Sequence, residues 1–89
     1  MSYLVQWDDH ELNMLAAVWN EAPDKAAVTE ALAEIERLLA RDPIGYSEAL
    51  PEGLFVIEVD PLRVLFEFSE AAKHVKVVSV ARRRTQSDS

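Results

Sequence analysis

Apolar positions along the 89-residue chain change period once, and the change divides it into a helical part and a strand part. The opening segment Tyr3-Leu4-Val5-Gln6-Trp7 is rich in β-formers and too short for a helix, so it predicts a strand. Asp8 with Glu11 three residues later has the spacing of a capping box at a helix start. Leu12, Leu15, Ala16 and Trp19 then fall at i, i+3, i+4 and i+7, one face of a helix that Pro23 closes. Asp24 is placed to cap a second helix. Its buried stripe is Val28, Leu32, Ile35 and Leu39, with Ala31 and Leu38 alongside. Asp42-Pro43 ends that helix, because proline lacks the N–H donor and disfavours helical geometry in the residue before it.

Residues 42–53 hold both glycines and two of the four prolines and read as loop. Alternation follows. Leu54 to Val59 predicts a strand, Asp60-Pro61 a tight reversal, and Leu62 to Phe68 a second strand. In that second strand Leu62, Val64, Phe66 and Phe68 lie on one side and Arg63, Leu65 and Glu67 on the other. Ser69 to Lys73 makes a hairpin loop and His74 to Val80 a last strand. The expected class is α+β. A two-helix antiparallel hairpin packs on one face of a small, mainly antiparallel four-stranded sheet, in the chain order β-α-α-β-β-β. Residues 1–84 are expected to form one domain and residues 85–89 a flexible C-terminal tail.

Composition narrows the chemistry. Hydrophobic residues make up 49% and charged residues 28%, an ordinary globular balance. Cysteine is absent, which excludes disulfide scaffolds, zinc-thiolate sites, iron–sulfur clusters and cysteine nucleophiles. No apolar run reaches the roughly 18–20 residues of a membrane span, and Met-Ser-Tyr-Leu-Val-Gln-Trp-Asp lacks the basic start of a secretory signal, so a cytoplasmic address is expected. Nine basic residues against sixteen acidic ones give a formal charge of −7, unlike the basic footprint of a nonspecific nucleic-acid binder. The charge is unevenly distributed: residues 1–81 carry −9, and the tail, with Arg82, Arg83 and Arg84 against Asp88, carries +2.

The acids in and beside the helices (Asp8, Asp9, Glu11, Glu21, Glu30, Glu34 and Glu36) read as caps and a solvated face. His10 and His74 are the only histidines. No metal-ligand spacing links them, and no phosphate loop or dinucleotide fingerprint is present, so neither metal nor cofactor is expected. Trp7 and Trp19 read as core or partner-binding anchors. Arg63 stands apart, on the polar side of its strand. If the sheet forms, Arg63, His74 or Lys76, and at least one of Arg82, Arg83 and Arg84 reach one concave surface not covered by helices. There they could bind a phosphodiester and neutralise charge during transfer.

Over roughly residues 3–84 the chain resembles the RelE/ParE superfamily of toxins from bacterial type II toxin–antitoxin systems, which includes plasmid stabilisation proteins. The resemblance rests on four segments taken in order. These are the Tyr3–Trp7 strand with its acidic cap, the first helix ending near Trp19, the second with Ala31-Leu32-Ala33-Glu34-Ile35-Glu36-Arg37-Leu38-Leu39, and Gly53 to Phe66 leading into Val77-Val78-Ser79-Val80-Ala81-Arg82-Arg83-Arg84. It implies a partner antitoxin. It also implies one of two targets, mRNA in the ribosome, cut as an endoribonuclease with inhibition of translation, or DNA gyrase. In the nuclease branch Arg63 and one of Arg82, Arg83 or Arg84 match arginines that stabilise the transition state, and His74 is the one imidazole able to assist. Three departures keep a non-catalytic, protein-interaction role open. No Tyr or His follows the terminal arginines, Leu62 precedes Arg63 where an aromatic is usual, and Leu54–Glu58 carries no lysine. Homo-oligomerisation also stays open at this size.

Overall fold

The computed structural model describes residues 2–83; Arg84 and the expected tail at 85–89 lie outside the described residues. The elements are β1 (Leu4–Gln6), α1 (Asp9–Glu21), α2 (Lys25–Arg41), β2 (Glu48–Ala49), β3 (Leu54–Val59), β4 (Leu62–Ser69) and β5 (His74–Arg82), with one 3-10 turn at Pro51–Gly53. The α+β class and the helical hairpin agree with the sequence. The sheet is mainly antiparallel as expected, with β1 parallel to β5, but it has five strands rather than four, in the order β1-β5-β4-β3-β2. The added strand is two residues long and pairs Glu48 with Val56 and Ala49 with Phe55. With both its residues exposed and turn-formers on either side, it carries no alternation that a sequence pattern could register.

The core lies between the helices and one sheet face. Val28, Ala31, Ile35 and Leu39 of α2 are buried against Ile57, Leu62, Val64, Phe66, Val75, Val77 and Val80. Each large apolar side chain so buried stabilises the fold by about 1.5–3 kcal/mol. Asp24 caps α2 as expected, its carboxylate accepting from the Ala27 N–H at 3.1 Å.

Helix α1 departs from its expected face. Met14, Leu15 and Val18 pack on the core, whereas Leu12 and Trp19 stay 46% and 41% exposed. Nor is there a capping box. Asp8 occupies the cap position without a side-chain cap bond and turns instead to Gln6 and Lys76. Glu11, expected in solvent, is buried.

A bulge in β5 sets the two faces of the sheet. β4 and β5 pair in step from Ser69↔His74 to Phe66↔Val77, and the register then jumps to Leu65↔Ser79, so that Val78 has no partner. The extra residue reverses the alternation. Val75 and Val77 face the helices, and beyond the bulge it is Val80, not Ser79, that enters the core. Arg82, opposite buried Leu62, follows Val80 on the helix side, while Ala81 and Arg83 fall on the open face beside Arg63.

Candidate functional site

The open face of the sheet carries the charged residues singled out by sequence. Arg63 pairs with Ala81 on β5 and with Glu58 on β3. Its Nε donates to Glu58 Oε2 at 3.1 Å, and the second oxygen, Oε1, faces Arg83 Nε at 3.3 Å. The Arg83 backbone N–H donates to the Pro61 carbonyl at 2.6 Å, which ties the end of β5 to the β3–β4 turn and sets its guanidinium over Glu58. Two arginines from neighbouring strands thus grip one carboxylate.

Arg82 lies elsewhere. Its Nη1 reaches the Glu21 carbonyl at 3.4 Å, at the end of α1, where a cation meets the negative pole of the helix. Lys76 and His74 share the open face with Arg63 but not its neighbourhood. They pair with Glu67 and Ser69, four and six residues along β4, or roughly 13 Å and 20 Å away at 3.3 Å per residue. Lys76 Nζ stands 3.3 Å from Asp8 Oδ2, and His74 Nε2 is 2.7 Å from Gln6 Oε1. Gln6 Nε2 in turn donates to Asp8 Oδ1 at 2.8 Å. That hydrogen bond, with Lys76 beside it, holds the Asp8 carboxyl below the ordinary carboxylate range. At the same edge Lys73, and after it the Tyr3 hydroxyl, lower Glu70.

Next to Glu58 is an open hollow of about 410 Å³ lined by Gly45, Tyr46, Ser47, Glu48, Val56 and Glu58. The loop that forms its wall is shaped by Asp42, whose Oδ1 accepts from Gly45 N–H at 3.0 Å. A Cβ at Gly45 would fall 2.2 Å from the same carboxylate.

The second candidate surface is on the helices. Leu12, Leu15, Ala16 and Trp19 of α1 and Val28, Thr29 and Leu32 of α2 line an apolar groove of about 280 Å³. Trp19 is fixed at its rim: Nε1 donates to Thr29 Oγ1 at 3.3 Å, and Lys25 Nζ lies 5.3 Å from the ring centroid. Trp7 is not part of this surface. It packs on the core from the other end of α1, with its Nε1 buried and without a partner among the described residues. The helical period of Leu12–Trp19 was visible in the sequence, but which of two overlapping apolar stripes would face the sheet was not. Among the described residues no group of three or more His, Asp and Glu side chains could hold a metal ion, and no helix is long and apolar enough to cross a membrane.

A helical hairpin packed on one face of a small, mainly antiparallel sheet is the fold of solved RelE toxins. A chain of the Mycobacterium tuberculosis toxin–antitoxin complex RelBE2 matches with a TM-score of 0.75 at 20% identity, over 93% of this chain and 100% of that one. The archaeal RelE–RelB complex of Pyrococcus horikoshii gives 0.68 at 16% identity, over 93% and 97%. The isolated Escherichia coli RelE toxin gives 0.57 at 15% identity, over 96% and 88%. At this identity the likeness is one of fold. No protein-family model matches the sequence, and neither does any curated protein.

Proposed function

We propose that the protein is the toxin-fold member of a type II toxin–antitoxin pair, and that it binds its antitoxin through the apolar groove of the helical hairpin. The groove is the observation that carries this reading: Leu12 and Trp19 leave apolar surface exposed outside a well-filled core, between two helices against which an apolar partner helix can lie. In support, RelE chains of the same fold have been solved in complex with RelB antitoxins. Helical spacing puts Asp9 one turn before Leu12 and Glu36 one turn after Leu32, while Lys25 lies at the Trp19 end. A bound helix is therefore expected to carry basic residues at its Leu12 end.

A second reading, a ribosome-dependent mRNA endoribonuclease, is favoured by the convergence of Arg63 and Arg83 on one oxyanion. Against it, that oxyanion is the protein's own, and no imidazole adjoins the pair among the described residues.

Co-expression with the product of the adjacent small reading frame tests the first reading. A stable complex that dissociates when Trp19 is replaced by alanine supports it; a free protein that ignores that product overturns it. Adding the protein to ribosomes programmed with mRNA tests the second. Cleavage that is lost in Arg63→Ala supports the nuclease reading, and intact mRNA sinks it.

A further inference from the structure

The groove on the helical hairpin has unlike ends. Helical spacing sets exposed Asp9 and Glu36 beside Leu12 and Leu32 at one end. At the other, Lys25 Nζ bonds to the carbonyls of Asn20 and Ala22, at 3.3 and 3.4 Å, and rests over the Trp19 ring. Two acids lie near that end but turn away from the groove. Asp24 accepts from the Ala27 N–H, and Glu21, two residues beyond Trp19, falls on the opposite side of α1. Leu12 and Trp19 stand about 10 Å apart along the helix at 1.5 Å per residue, with small, exposed Ala16 between them. The surface therefore has a shallow centre, a bulky ring at one end and opposite charge at its two ends. Turned through 180°, such a surface complements itself, as an isologous interface requires.

We propose that, in the protein alone, this groove is covered by a second copy of the chain, related to the first by a two-fold axis passing near Ala16. Trp19 of each copy then lies against Leu12 and Leu32 of the other, and Ala16 lets the two α1 helices approach. Each Lys25 meets the other copy's Asp9 and Glu36. Four helices close over one apolar seam, and the exposed surface of Leu12 and Trp19 leaves water. The rim charges set orientation rather than strength, since a parallel arrangement puts Lys25 on Lys25 and acid on acid. Net charge works the other way. Two bodies of −7 each repel at long range, so association tightens as salt screens them, whereas a basic partner helix is released by salt. The inference goes beyond the antitoxin reading and does not require it; where both hold, the two occupants compete for one groove.

The test is sedimentation equilibrium of the purified full chain with no other protein present. It compares the parent with Trp19→Ala, with Lys25→Glu, and with Lys25→Glu combined with Asp9→Lys, which keeps the parent's net charge. Circular dichroism first establishes that each variant is folded. The parent is expected to dimerise with a dissociation constant of about 1–100 µM, and more tightly at about 0.15 M salt than at about 0.01 M. Trp19→Ala is expected to weaken the dimer by about tenfold or more. Lys25→Glu is expected to weaken it about three- to tenfold, and the added Asp9→Lys to recover most of that loss. A monomer at every concentration up to about 1 mM overturns the proposal and leaves the groove to a different helix. A dimer that Trp19→Ala leaves intact overturns it as well. A dimer weakened by Lys25→Glu and not recovered by Asp9→Lys overturns the two-fold arrangement. None of these results decides the antitoxin reading, which stands or falls with the adjacent gene product.

Discussion

Arg63 and Arg83 are held on opposite oxygens of one carboxylate, with Nε of the first 3.1 Å from Glu58 Oε2 and Nε of the second 3.3 Å from Oε1. All three side chains are more than a third exposed. The cluster therefore contributes little to folding, because water screens the pairs and each ordered side chain loses rotamer freedom. Arg63→Ala is expected to lower the unfolding free energy by less than about 1 kcal/mol, with Glu58 still partnered by Arg83. Urea denaturation measures this directly. A loss above about 2 kcal/mol would mean that the cluster braces the sheet rather than waiting on a ligand.

Glu11 poses the opposite case. It is 8% exposed, and its Oε1 is buried without a partner among the described residues. A carboxylate oxygen denied both water and a donor destabilises its site, so Glu11→Leu is expected to raise stability by about 1–2 kcal/mol. Thermal melting or urea midpoints would show it. A destabilised variant would show that the second oxygen of Glu11 holds something the fold needs.

The two tryptophans should separate cleanly. Trp7 packs on the core, and Trp7→Ala is expected to cost about 2–4 kcal/mol of stability. Trp19 lines the groove, 41% exposed, and Trp19→Ala should cost about 1 kcal/mol or less while weakening capture of a groove-bound partner by at least tenfold. Unfolding curves and pull-down with the adjacent gene product read the two effects independently. Equal stability losses at both positions would remove the groove as a recognition surface.

Acid sensitivity should be traceable to Asp8. Its carboxyl is held below the ordinary range by Gln6 and then Lys76, so the folded state binds its proton less readily than the unfolded chain. A depressed carboxylate contributes stability that is present above the unfolded value of about 3.9 and lost as pH falls through the lower folded value. Asp8→Asn is therefore expected to be less stable than the parent at neutral pH and to converge with it only as pH falls through the lowered folded value. Melting temperatures at pH 7 and along a descending acid series check this. A gap that persists in acid would place the contribution of Asp8 in packing rather than charge.

The helix boundaries and the β3–β4–β5 meander were legible because long runs with one period dominate their segments. Asp24 and Pro43 marked the ends of α2 for stated chemical reasons. What escaped was whatever depends on a partner distant in sequence. The face of α1 was ambiguous because Leu15 belongs both to the Leu12–Trp19 stripe and to the Met14–Val18 stripe, and only the sheet decides between them. Strand β2 owes its existence to hydrogen bonds with Val56 and Phe55, not to its own two residues. In the site, the arginines were visible but not Glu58, since a carboxylate in an acidic chain gives no signal until Arg63 and Arg83 close on it. His74 shares the open face with Arg63, but strand length separates them.

The unpartnered Val78 has a wider meaning for the end of the chain. Adding or removing one residue in β5 would swap which side of the sheet every later side chain meets, and in most sequences that would exchange an interior valine for a serine and scatter the charged groups. Here Arg82 and Arg83 are adjacent, so a shift of one position in either direction still fills one of the two posts: Arg82 takes the place of Arg83 on the open surface, or Arg83 that of Arg82 beside the last carbonyls of α1. The repetition blunts slippage at the terminus: a frame error of one position costs the core a valine and one arginine post, not both.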